Sequence, residues 1–197
     1  MSKKLVYDVG IYEKGSYTSR SDGKLTKEYR LWGSMLQRCY SHTELTRYPT
    51  YTGCSVSEEF SSFQKFAEWC NTQIGFAVSG YHLDKDIIYV GNKQYSRDSC
   101  AFVPREVNLL LRTSKASRGD YPLGTYFHKQ TGKFAAHCNY GKGRITHLGL
   151  FSTAEEAYAT YKGAKEAHIK TVAEQYKDSI DPRVYQALVE WKVRVDD

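Results

Sequence analysis

Residues 122–158 read PLGTYFHKQTGKFAAHCNYGKGRITHLGLFSTAEEAY, and this stretch decides the fold of the C-terminal half of the chain. Turn residues Gln130-Thr131-Gly132 and Gly141-Lys142-Gly143 divide it into three strand-like runs, over about 124–129, 133–140 and 144–151. Ser152-Thr153-Ala154-Glu155 then has the form of a capping box opening a helix. Because side chains alternate across a strand, two faces can be written down directly. One carries Thr125, Phe127, Phe134, Ala136, Cys138, Thr146 and Leu148 and is mostly apolar. The other carries Tyr126, His128, Lys133, Ala135, His137, Asn139, Ile145 and His147. Small helix residues Ala154, Ala157 and Ala164 suit close packing on the apolar face. The remaining face of aromatic, imidazole, amide and amine groups is expected to meet a polar, anionic partner.

The distribution of charge supports that expectation. Arg105 to His147 contains eight basic residues, Arg105, Arg112, Lys115, Arg118, Lys129, Lys133, Lys142 and Arg144, against Glu106 and Asp120. This one segment therefore carries the whole formal net charge of +6, and the rest of the chain balances. Localised cations gain affinity for nucleic acid by releasing its condensed counterions.

The pattern of Gly124, then Gly-Lys-Phe-Ala-Ala at 132–136 and Leu-Gly-Leu-Phe-Ser-Thr-Ala-Glu-Glu-Ala at 148–157 resembles the plant ethylene-response-factor (Apetala-two) DNA-binding domain. The resemblance covers roughly residues 121–175. It implies a sheet lying in the DNA major groove with Tyr126, His128, Lys133, His137, Asn139 and His147 facing the groove, and Lys129, Lys142 and Arg144 beside them. The plant pattern is rich in Arg and Trp at these positions, whereas this chain is not. Fewer arginines mean fewer bidentate guanine contacts and lower sequence selectivity. Three histidines on one face also suggest that protonation below about pH 6.5 would strengthen DNA binding.

A second block, HLDKDIIYVGNKQYSRDSCAFVPREVN at 82–108, reads as strand, loop, strand and helix. The first strand ends at Leu83–Ile87, the second runs from Ser99 to Val103, and Pro104 opens a helix bearing Asn108. This order resembles the HNH nuclease motif, in particular its phage homing-endonuclease branch. The resemblance implies a ββα-metal motif over 81–112 in which Asp84 and Asn108 hold Mg2+ or Mn2+. Asp98 or Ser99 falls near the family's structural Asn. Lys85 stands where the family has its catalytic His. Either Lys85 acts as the base or as a charge stabiliser, or His82 supplies the imidazole, or catalysis is lost and the block only grips DNA.

The remaining sequence frames these two blocks. Trp32, Met35, Leu36 and Cys39 mark a helix over 27–40, and Phe60, Phe63, Ala67, Cys70 and Ile74 a second one ending at Gly75. TRYPTYTGCSV around Pro49 and Gly53 is loop and short strand. TSKASRGD at 113–120 is a polar linker, and a last helix begins near Pro182 with Val184, Leu188, Trp191 and Val195 as its apolar stripe. The expected architecture is α+β, with an HNH-like domain over 1–112, an Apetala-two-like domain over 120–176 and a terminal helix over 177–197. No apolar run approaches the ~20 residues of a membrane span, and the N-terminus lacks a secretion-signal core. Five cysteines in an odd, unpaired pattern predict reduced thiols and a cytoplasmic setting, that of the host if the chain is phage-encoded. Cys39, Cys54 and Cys100, with His42 as a further ligand, are a weaker zinc possibility because no two share short ligand spacing. The expected function is a DNA endonuclease acting on duplex DNA. The alternatives are an inactive DNA-binding regulator and a module that meets an acidic host protein.

Overall fold

The computed structural model describes residues 5–111, 120–141 and 144–195. The chain divides into two compact units, Met1–Pro104 with Ser179–Val184, and Arg105–Asp178 with Tyr185–Asp197. The polar stretch 113–120 lies outside the described residues except for Asp120.

The first unit opens with a hairpin of β1 (Arg20–Ser21) and β2 (Lys24–Leu25), then α1 (Lys27–Tyr40). Thr26 caps α1 by accepting the Tyr29 N–H, and Trp32, Met35, Leu36 and Cys39 form the buried stripe that the spacing predicts. After α2 (His42–Arg47) and a 3-10 turn at Pro49–Tyr51 comes β3 (Ser55–Val56). The single helix expected over 60–74 is instead two, α3 (Glu58–Ser61) and α4 (Phe63–Thr72). The break lies at Ser62, whose extended backbone and hydroxyl cap the second helix through the Lys65 N–H. Ile74 falls beyond α4 and is exposed. Trp32, Phe60, Phe63, Phe66, Trp69 and Phe102 are almost fully buried and meet edge to face, tilted or, for Trp69 and Phe102, stacked. The Trp32 indole satisfies its polar end by donating to the Phe60 carbonyl at 2.9 Å.

On this core rest β4 (Tyr81–Asp84), β5 (Gln94–Tyr95) and β6 (Ala101–Pro104). β4 pairs antiparallel with β6, placing Asp84 opposite Ala101 and His82 opposite Val103. β5 pairs parallel with β3, a two-residue strand too short to leave a periodic signal. β4 stops at Asp84, short of the expected strand end at Leu83–Ile87, and β6 runs over Ala101–Pro104 where the sequence predicts Ser99 to Val103. The chain leaves β4 at Asp84 because the carboxylate folds it into a turn, and β6 starts after the Ser96–Cys100 turn.

The second unit starts with α5 (Arg105–Leu110) and contains β7 (Thr125–His128), β8 (Lys133–Asn139), β9 (Ile145–Phe151) and α6 (Ala154–Tyr176). The three strands form an antiparallel sheet in sequential order, packed on α6 as the sequence predicts. The capping box is present one residue later than expected. Thr153 is the cap and accepts the Glu156 N–H, while the Glu156 carboxylate accepts from the N–H groups of both Ser152 and Thr153. The last helix, α7 (Pro182–Glu190), buries Val184 and Leu188. It ends before Trp191, so the expected stripe fails there: Val193 is buried and Val195 exposed.

Gly124 fixes how closely α6 approaches the sheet. Its φ is +75°, and a methyl group built there would stand 2.1 Å from the ring of Tyr161 on α6. Both the backbone conformation and the space therefore exclude a side chain. Gly124→Ala is expected to destabilise the fold by about 2 kcal/mol, as overpacking and a strained positive φ both act. Thermal or urea unfolding of the variant checks this, against Gly132→Ala, where φ is also positive but no atom lies within 4 Å.

Candidate nucleic-acid interface and the Asp84 turn

Cross-strand register shows what each face of the sheet presents. Thr125 lies opposite Ala136 and Phe127 opposite Phe134, while Tyr126 lies opposite Ala135 and His128 opposite Lys133. On the other side of β8, His137 pairs with His147, Cys138 with Thr146 and Asn139 with Ile145. The register slips by one residue between Ala136 and His137, which makes a bulge at Leu148–Gly149 on β9. Gly149 absorbs it at φ +140°. Past the bulge, Leu150 sits opposite Ala135 and so joins the outer face, where strict alternation would not put it. The doublet Leu148-Gly149 inside a strand pattern is the signal that marks it.

The inner face is closed at its centre under α6, while Phe127 and Thr146 on the two outer strands are exposed. Ala136 and Cys138 are fully buried, as is Ala157 on α6, and Tyr161 nearly so. The outer face is open and more apolar than composition suggests, since Ile145 is 65% exposed and Tyr126 and Leu150 about 40%. Across it runs a row of rings. Tyr126 stacks on His137 with centroids 4.9 Å apart and planes 13° from parallel. His137 Nε2 and His147 Nδ1 stand 3.3 Å apart, so one imidazole donates to the other. This row covers the centre of the face and fixes the orientation of rings that would otherwise rotate freely.

The polar groups at the margins differ in freedom. Lys129, Lys133 and Arg144 are exposed. Lys142 lies outside the described residues, as do Arg112, Lys115 and Arg118. His128 is half-buried, and its Nδ1 shares a hydrogen bond with Thr131 Oγ1 at 2.9 Å. Asn139 spends its carbonyl oxygen on the Gly141 N–H at 2.9 Å, closing the turn into β9. Its amide NH2 is left as the outward donor.

The Asp84 block is organised differently. Asp84 Oδ1 accepts the N–H groups of Asp86 and Ile87 at 2.8 and 2.9 Å, making the carboxylate the organiser of the turn after β4. Burial raises its pKa above the ordinary carboxylate value, opposed by those two backbone bonds. Lys85 is 6% exposed. Its Nζ donates to the Asn92 carbonyl at 2.8 Å, pairs with Asp86, and lies 5.7 Å from the centre of the Tyr95 ring. Asn92 in return donates to the Lys85 and Gln94 carbonyls. Lys85 thus ties the Asp84 turn to the Gly91–Asn92 turn. Asn92 and Asp86, its anchors, are visible in the sequence only as turn residues. His82 is exposed, two residues before Asp84, so the two side chains share one face of β4. Asp84 belongs to the first unit, whereas Asn108 is half-buried on α5 of the second.

Asp98 is exposed and Ser99 buried. The Ser99 hydroxyl donates to the Gln94 carbonyl at 2.7 Å and so closes the turn before β6. The zinc possibility is not supported. Among the described residues no three His, Cys, Asp or Glu side chains gather to hold a metal. All five cysteines are buried free thiols, and burial pushes Cys39 and Cys100 up to about 12. Among the described residues no helix is long and apolar enough to cross a membrane.

No protein-family model, no curated protein and no solved structure matches the chain. The two resemblances therefore rest on the residues quoted above.

Partial burial, with the His147 imidazole beside it, lowers the His137 pKa below the ordinary value of 6.5. Charging of His137 is thus displaced to lower pH. NMR titration in chelator-treated buffer should place the His137 midpoint below 6.5 and show it rising in His147→Gln. A midpoint unmoved by the substitution contradicts the coupling.

Proposed function

We propose that this protein binds duplex DNA by seating the outer face of β7–β8–β9 in the major groove. The observation that carries the reading is the one-sided sheet. α6 closes one face, and the other presents an ordered row of Tyr126, His137 and His147 between exposed Ile145 and Leu150, with Lys129, Lys133 and Arg144 exposed at its margins. Three strands at ~4.8 Å spacing span about 10 Å, which fits a groove about 12 Å wide. Ile145 and Leu150 suit thymine methyl groups, the Asn139 amide donates to base acceptors, and the cations meet phosphate. Arg144, the one Arg among the nine residues assigned to the face, precedes β9 at its margin, so shape and phosphate contacts dominate over guanine reading.

Binding of a random duplex, followed by fluorescence anisotropy, should weaken steeply with salt. Three phosphate contacts give a log–log slope of about −2.7, and Lys133→Ala should reduce its magnitude by about 0.9. A flat response excludes DNA and favours a protein partner.

A second reading adds metal-dependent phosphodiester hydrolysis, and the Asp84 turn favours it. β4, β6 and α5 occur in the strand–strand–helix order of the resemblance, with the two-residue β5 between the two strands. Both backbone bonds fall on Asp84 Oδ1, leaving Oδ2 to meet a cation, and a partly desolvated carboxylate is stabilised by one. Asp84 would hold Mg2+ or Mn2+, which when bound supplies charge stabilisation at the scissile phosphate. Lys85 serves as the clamp that shapes the turn, and the exposed His82 imidazole is the group left to take a proton from water. Plasmid nicking with Mg2+ or Mn2+ should be lost in Asp84→Ala and fall ~100-fold or more in His82→Gln. Cleavage that survives Asp84→Ala removes the metal assignment. No cleavage by the wild-type protein leaves a DNA-binding regulator.

A further inference from the structure

We propose that His137 and His147 form a binding site for a borderline divalent transition cation of the zinc class, on the open face of the sheet. The facing nitrogens, His137 Nε2 and His147 Nδ1, are 3.3 Å apart. Two nitrogens each ~2.05 Å from a tetrahedral ion stand about 3.3 Å apart, so the pair already has the span that Zn2+ requires. The ion would lie roughly 1.2 Å off the line between them.

The backbone supplies the preorganisation. His137 and His147 are direct cross-strand partners immediately before the bulge, so the sheet holds their Cα atoms in fixed register. Tyr126 stacks flat on His137 and restricts its ring. Neutral imidazoles are the form that binds metal. The proton balance is simple. A neutral pair holds one proton on each ring, and the ring that donates the His–His hydrogen bond carries its proton on its other nitrogen once the ion is bound. No net proton is released.

Among the described residues no third His, Cys, Asp or Glu completes the set, so the protein supplies two ligands and water the rest. The site is thus open rather than closed and structural. Mg2+, which takes oxygen ligands, does not suit it. The inference is independent of DNA binding, because the ion is held by the protein's own imidazoles.

The test is titration of the full-length protein with Zn2+ in a non-coordinating buffer, by calorimetry and by NMR of the imidazole resonances. The His137 and His147 resonances should move together and saturate at one equivalent. His137→Gln and His147→Gln should each weaken binding tenfold or more, since even outer-shell partners of metal ligands are worth about 10–100-fold. His42→Gln should leave the affinity unchanged. Saturation centred on other residues of the wild-type protein, or affinity unchanged in both His137→Gln and His147→Gln, overturns the site.

Discussion

The close approach of α6 to one side of the sheet is the constraint on which the second unit depends. Gly124 permits it by leaving room for the Tyr161 ring, and Ala136, Cys138 and Ala157 complete the covered layer. Once that face is buried, a one-residue slip in register would carry Phe134, Ala136 and Cys138 to solvent, so the pairing of β7, β8 and β9 is tightly specified. The open face inherits its composition from this choice. Its rings are held in a row because the strands beneath them cannot shift. The bulge at Leu148–Gly149 then changes the parity of β9 and adds Leu150 to that face.

The first unit rests on a different device, an aromatic core from α1, α3, α4 and β6 that fixes the hairpin of β4 and β6. The polar turn after β4 is built on that hairpin by two side chains. Asp84 accepts two backbone N–H groups, and Lys85 reaches across to Asp86 and Asn92. A buried ammonium is tolerated here because a carboxylate and a carbonyl receive it. The same arrangement leaves His82 outward and one Asp84 oxygen without a backbone donor, which is where the hydrolytic reading finds its groups.

Much of this was legible from residue order. The three strands and the helix after them follow from alternation, glycine turns and a capping pattern, and α1 from a 3.6-residue stripe with Thr26 before it. What escaped has identifiable causes. Ser152-Thr153 and Glu155-Glu156 offer two capping registers, and local sequence does not separate them. Ser62 interrupts an apolar period that reads as one helix, because a serine is compatible with helix interior and cap alike. Lys85 looks like a catalytic substitution in sequence, yet its burial and its partner Asn92 depend on a turn seven residues away. The His137–His147 contact likewise depends on a ten-residue separation set by the register of β8 and β9 on the turn side of the bulge.

The claim that the open sheet face meets duplex DNA is tested most directly by mapping backbone and side-chain chemical shifts as a short duplex is added. The account predicts that perturbations concentrate on Tyr126, Lys133, His137, Asn139, Ile145, His147 and Leu150. Ala136, Cys138 and the exposed side of α6 should stay still. Perturbations centred on α6, or none on the sheet at saturating duplex, would contradict it.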